Sequence, residues 1–404
     1  MAATPTNAAT AVPQTTSPVD AGLLVHITTI SPETIEPALS NLALAFPGKS
    51  LHVAIPDTAP NLLGNGSFDR LKLLAYTPAA ISSSTWVLTA ADYINTWKLA
   101  QEHNATACLM LGADSHTMSP ESIRQLATAT LTPGTDLVAA HYHPGPRESL
   151  LNSAIFYPVT RALFCAKPRF PQAIDLGLSL RMAERLAMAS QRYTASGQDN
   201  ALIWPVSEAT VANYTIAEAD IPERLSPAPA ANDLNVLLNY LCGSLFTDID
   251  AKATVWQRIR HTIPKRTMTA SPEPPDSLDI TGMLQSFQLA YSNLQEIWAL
   301  VLPPHTLLGL KHLSVMPQEA FRMPDSLWAR IVYDFILAYR LRTINRNHLM
   351  GALTPLYLAW VASHLTLIHS GIPPEQHIED LALTFETDKP YLVSRWRWPD
   401  RFNP

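Results

Sequence analysis

Asp114 ends an apolar run, Cys108-Leu109-Met110-Leu111-Gly112-Ala113, and is followed by Ser115 and then by Ser119-Pro120-Glu121. Serine at a cap, proline at the first helical position and an acid in the first turn together open a helix, because they satisfy or need no partner for the free N–H groups there. A carboxylate delivered at the end of a buried strand can hold a divalent cation such as Mg or Mn, which takes hard oxygen ligands. It can equally cap the turn that precedes the helix. Asp57 ends a second apolar run, Leu51 to Ile55. His141 and His143 alternate near the end of a third, so both rings project to one side, either towards a phosphate or acceptor or simply onto the surface.

The elements that must position these groups follow from hydrophobic period and punctuation. Leu23 to Ile27 reads as a first buried strand, and Ser31-Pro32-Glu33 as the start of a helix reaching Leu44. Leu51 to Ile55 is the next strand, Trp86 to Leu88 a short one, and Ala90 to His103 has helical spacing. Ala107 to Leu111 and Asp136 to Ala140 are further strands. Strands alternating with helices predict a mainly parallel sheet covered on both faces, with ligands held beyond the carboxyl ends of the strands. Asp57 and Asp114 both fall at such ends, which places them in one expected crevice. From about residue 232 the texture turns helical, with patterns over Gly282–Val301, Ser326–Thr343 and His348–His369, and a strand expected only at Leu381–Thr384.

A chain of 404 residues is long enough for two domains, and 47% hydrophobic against 15% charged residues supplies a core rather than a disordered coil. The net charge of −6 excludes a general electrostatic grip on nucleic acid or anionic lipid. Cys108, Cys165 and Cys242 are far apart with no CxxC pair, so free thiols in a reducing cytoplasm are expected. Leu349 to Ile368 contains no Asp, Glu, Lys or Arg and is long enough to span a bilayer, but Pro355, His364 and its Ser and Thr residues fit better with an enclosed core helix. A nucleophile elbow and a GxGxxG turn are both missing, which excludes the common α/β-hydrolase and dinucleotide-binding patterns.

Taken together, Cys108–Ser115, Asn152-Ser153 with Tyr157-Pro158-Val159-Thr160-Arg161, Pro171–Ser179 and Gly197-Gln198-Asp199 resemble, in order and spacing, the GT-A glycosyltransferases of the glucosyl-3-phosphoglycerate, mannosylglycerate and glucosylglycerate synthase type. Leu327–Phe335, Asn345–Leu349 and Leu353–Leu358 resemble the helical extension of bacterial members, so the likeness runs over roughly residues 21–370. It implies an α/β GT-A (Rossmann-like) mainly parallel sheet with helices on both faces over residues 21–245, after a disordered tail at 1–20. An all-helical C-terminal part at 246–404 follows, with a Pro/Ser-rich linker near 267–279.

The resemblance also implies an activity: a hexose moves from a nucleoside diphosphate sugar to a small acidic acceptor such as glycerate or 3-phosphoglycerate. Asp57 would contact the nucleotide, Arg161 would be a structural tie or a phosphate partner, and Asp114 would hold the Mg or Mn. Asp175 would order the donor sugar and Asp199 face the acceptor or take its proton. Partners would be donor and acceptor, without nucleic acid or membrane; a homodimer is compatible. Several positions depart from the pattern. Gly112 stands where the family has a first acid. Ile216–Leu225 has no histidine, though Glu218, Asp220 and Glu223 offer oxygen instead. Thr89-Ala90-Ala91-Asp92 replaces Gly-Lys-Gly-Asn, and Ala173 and Ile174 fill glycine positions. The alternative is therefore a catalytically impaired GT-A scaffold that binds a ligand or partner.

Overall fold

The computed structural model describes residues 22–57, 68, 70–78, 86–195, 202–224, 234–260, 262–266 and 278–399. The expected tail, and the linker as far as residue 277, lie outside these.

Strand β1 (Leu23–Ile27) is buried at every position, which requires cover on both faces of the sheet. After α1 (Ile35–Ala45) come β2 (Leu51–Pro56), β3 (Leu71–Tyr76) and α2 (Ala90–Glu102). Then follow β4 (Ala107–Leu111), α3 (Pro120–Leu131), β5 (Leu137–Tyr142) and α4 (Tyr157–Phe164), the last preceded by a wide helical turn at Asn152–Phe156. Strand β6 (Leu176–Ser179), α5 (Leu180–Ala195), α6 (Pro205–Val211) and β7 (Ile216–Ile221) complete the α/β part. The seven strands lie in the order β3-β2-β1-β4-β6-β5-β7. All neighbouring pairs are parallel except those of β6, which runs antiparallel to both β4 and β5. This is the mainly parallel α/β sheet that the sequence implied.

The reversal of β6 matters for the site, because it brings the start of that strand to the edge where the parallel strands end. Close packing beneath it needs Gly177: a Cβ there would sit 1.8 Å from Thr130 Oγ1 of α3.

The helical part comprises α7 (Leu234–Ala251), α8 (Ala253–Trp256), α9 (Thr281–Asn293), α10 (Gln295–Ala299), α11 (Pro304–Ser314), α12 (Asp325–Leu341), α13 (Arg346–His369) and α14 (Pro374–Arg397). Residues 245 and 246, taken as a boundary, both fall within α7. One apolar core runs from β1 into α14 without interruption. Helix α13 is the one described helix long and apolar enough to cross a membrane, and 83% of its most apolar window is buried in the structure.

Three local expectations change. Ser31 and Thr34 close a turn of their own (Thr34 N–H to Ser31 O, 3.1 Å), so α1 is capped by Thr34 and starts later than the serine-proline pair suggested. Trp86–Leu88 is not a strand, and Leu381–Thr384 lies inside α14.

Candidate site at the carboxyl ends of the strands

At the end of β4, Leu111, Gly112 and Ala113 are buried and Asp114 is exposed. Asp114 has φ 58°, the left-handed region that aspartate tolerates better than most residues, and starts a short helical turn at Ser115–Thr117. Its side chain makes no capping bond to that turn.

The neighbouring position is closed to any side chain. A Cβ on Gly112 would meet Ile174 Cβ and Cδ1 at 2.8 Å. The Gly112 N–H instead donates to Asp175 Oδ1 at 3.0 Å.

Asp175 is wholly buried and fully occupied. Tyr142 donates its hydroxyl to Oδ2 at 2.9 Å, and Arg224 Nε donates to the same oxygen at 2.8 Å. Arg224 Nη2 also reaches Asp175 Oδ1 (3.3 Å) and the Ala113 carbonyl, while Nη1 reaches Thr117 Oγ1 at 3.3 Å. Burial alone would lower the Arg224 pKa. The charge of Asp175 and its hydrogen bonds, with the charge of Asp114, outweigh it and hold the guanidinium above its ordinary value, permanently charged. Burial, reinforced by Asp175, likewise pushes Tyr142 far up, so its hydroxyl stays protonated and donating. The result is a dry Tyr142–Asp175–Arg224 knot fastened to the β4 turn. Asp175 therefore has no lone pair turned to solvent for a sugar hydroxyl, and its role is that of an anchor.

Asp57 ends β2 with its carboxylate exposed, accepting from Thr77 Oγ1 at 2.5 Å. Strand β1 lies between β2 and β4, and among the described residues no side-chain bond links Asp57 to Asp114 or Asp175. The shared crevice is thus an edge common to both acids, not a joint contact.

Of the two readings of Arg161, the geometry favours the structural tie. Arg161 is buried among α14 and the chain near 263, donating to Glu386 (2.8 Å), Glu379 (2.6 Å), Tyr157 (2.9 Å) and the Ile263 carbonyl (3.0 Å). With every nitrogen committed inside the protein it is a tie between α4 and α14, not a phosphate partner. Asp199 and Gly197 lie outside the described residues. The stretch Thr89–Asp92 forms a reciprocal cap on α2, with Thr89 N–H donating to Asp92 at 2.7 Å; burial raises the Asp92 pKa to about 6 in spite of those bonds.

The acids after residue 216 belong to a strand and its end. Glu218 accepts from the Arg169 N–H (2.8 Å) and from Arg266 (2.9 Å). Asp220 instead faces two histidines: His141 Nδ1 is 3.1 Å and His143 Nε2 is 2.6 Å from its Oδ1. Burial, more than the opposing pull of Glu218 and Asp220, holds His141 below the usual imidazole range. These histidines line a cleft of about 40 Å³ with Ser153, Arg169, His364 and Glu375. A larger cleft of about 290 Å³ lies under the start of β6, walled by Trp86, Tyr142, Phe170, Gln172, Ile174 and Tyr357.

Sequence reasoning overlooked Arg224 and Tyr142. A lone arginine just past the acidic run was the available sign for the first. Nothing in the sequence marks the tyrosine between two histidines as the one turned inward.

A divalent cation does not fit the β4 turn as it stands. The turn offers a single carboxylate, Gly112 has no room for another, and a charged guanidinium is already bonded to the turn at the Ala113 carbonyl.

No family profile matches the chain, and no curated protein matches it. Among solved structures it is similar to glucosyl-3-phosphoglycerate synthase from Mycobacterium tuberculosis in complex with UDP, at 14% identity, covering 57% of this chain and 79% of that one, with a TM-score of 0.35. A second structure of that synthase, with Mn2+, UDP-glucose and phosphoglyceric acid, is 13% identical over the same shares, with a TM-score of 0.36.

Proposed function

We propose that the chain is a nucleotide-sugar glycosyltransferase of the GT-A type that handles its donor without a metal at the β4 turn. The observation that carries this reading is the buried Arg224 guanidinium, bonded to Asp175 before β6 and to the Ala113 carbonyl after β4. As the bond from the sugar carbon to the diphosphate breaks, negative charge gathers on the leaving group. Every nitrogen of Arg224 is bonded within the knot, so on this reading it acts on that charge through its field and not by contact, and needs no reorganisation at the moment of reaction. On this reading Asp57 meets the nucleotide and Asp199 the acceptor, a small acid such as glycerate or 3-phosphoglycerate. Asp175 holds Arg224 in place.

The sequence of the altered positions supports the same conclusion from another side. Gly112 and Ile174 fit one another, with Asp175 joining them to Arg224, so the two departures read as one coordinated change of the site. The reading is tested by thermal shift with UDP- and GDP-hexoses, with EDTA and with added Mn. Binding of one donor that survives EDTA supports it; binding that requires Mn overturns the metal-free part.

A second reading, a silent scaffold, is favoured by the complete burial of Asp175 and Arg224 and by the Ile174 side chain filling the space over Gly112. If no nucleotide or nucleotide sugar raises the melting point, turnover is refuted and the scaffold stands.

A further inference from the structure

Strands β5 and β7 are parallel neighbours, and their register sets His141 directly opposite Asp220. His143, two residues further along, leaves the backbone on the same side. Both rings converge on a single oxygen, Asp220 Oδ1, at 3.1 and 2.6 Å, and the three ligand atoms lie within 4.8 Å of one another. The side chains are 18%, 28% and 52% exposed for His141, His143 and Asp220, so the group is reachable from solvent but not loose on the surface.

We propose that His141, His143 and Asp220 form a binding site for a divalent transition metal of the zinc and cobalt class. The site is separate from the β4 turn and independent of the donor chemistry proposed above. Two imidazoles and one carboxylate suit borderline ions and disfavour Mg and Ca, which prefer all-oxygen shells. Metal bonds of about 2.0–2.2 Å to such ligands put donor atoms roughly 3 Å apart, a spacing these atoms already approach. An ion therefore enters with small side-chain rotations. Asp220 closes the site from β7. The two histidines line the small cleft that also holds Arg169, whose Nη1 is buried without a hydrogen-bond partner. Coordination positions left open on that side take water or a small anion. Arg266, the cation that acts most on His141, is paired with Glu218, and Asp220 supplies a further opposing negative charge.

Cobalt titration of the full chain, after treatment with a chelator, tests the site. The expected result is a saturable visible d–d spectrum at one equivalent, displaced by Zn2+ and unaffected by excess Mg2+. Asp220→Asn should weaken binding at least tenfold, and His141→Ala with His143→Ala should abolish it. His143→Gln keeps a hydrogen-bond donor for Asp220 while removing the imidazole. Loss of the cobalt spectrum at an unchanged melting temperature in that variant separates coordination from packing. Asp114→Ala should leave the spectrum as it is. The proposal is overturned if the wild-type chain shows no saturable spectrum, if the double histidine variant retains it, or if Asp114→Ala removes it.

Discussion

Asp175 and Arg224 are each other's principal partner in a place that water does not reach, and the cost of separating them is correspondingly large. Removing one member of such a pair leaves the other charged and buried, a loss of about 3–5 kcal/mol, whereas replacing both with apolar groups recovers much of it. Arg224→Met should therefore lower the urea midpoint sharply, and Asp175→Leu combined with Arg224→Met should lower it less than either single change. Additive losses in that cycle would mean that the two side chains act separately. Gly112→Asp, which would restore the acid of the family pattern, should give no gain in Mn affinity. Its side chain meets Ile174, and overpacking of this kind costs about 1–3 kcal/mol. Calorimetry with Mn, and a thermal melt beside it, would show both; tighter Mn binding by the variant would place Ile174 elsewhere. At this scale the sequence displayed each altered position but not their connection. Gly112 and Ile174 look like two unrelated departures until one is seen to occupy the space of the other.

Elements with both faces covered were the easiest to read. Strands β1, β2 and β4 are short unbroken apolar runs, and they came out within a residue or so of their observed bounds. Strand β3 has half-exposed positions and β6 has only four residues, too little for a period to show. Strand β7 carries Glu218 and Asp220, which break the apolar run by which the other strands were read. The opposite error arose at Leu381–Thr384, where four apolar residues are a segment of a long helix. Element β1 also carries a measurable pH dependence. Its His26 lies between Thr96 of α2 (2.7 Å) and the Tyr76 hydroxyl of β3 (2.7 Å), and burial lowers its pKa to about 3. The unfolded chain binds that proton near pH 6.5 and the folded chain does not, so the stability is present above that pH and drains away as pH falls towards 3. Between pH 7 and pH 5 the loss from this one group is about 2 kcal/mol, taking 1.36 kcal/mol per pH unit below the unfolded value. Urea unfolding of the wild type and His26→Leu at both values checks it. A variant as acid-sensitive as the wild type would clear His26 of responsibility.

Across the whole molecule, the sheet and the helices share one core and are stitched together by buried polar ties. Arg161 holds Glu379 and Glu386 of α14, and Trp328 Nε1 of α12 donates to the Ala154 carbonyl at 2.9 Å. A single calorimetric transition is therefore expected, its van't Hoff and calorimetric enthalpies agreeing; two separated peaks would show the sheet and helices melting apart. Arg161→Met, which strands two carboxylates, should lower that transition by several degrees. The helical character of this half was legible from its long apolar periods, but its attachment to the sheet was not. Arg161 looks in sequence like any arginine on a short helix, and its partners are more than two hundred residues away. The placement of β6 has a consequence for synthesis. It is made after β4 and β5, yet it must slot between them, and those two do not pair with each other. While the nascent chain has not passed residue 179, β4 offers the ribosome's surroundings one unpaired edge. Strand β5, whose other neighbour β7 comes later still, offers two. Open apolar edges recruit other chains. Fragments halted before β6 should therefore precipitate or be captured by a holdase chaperone.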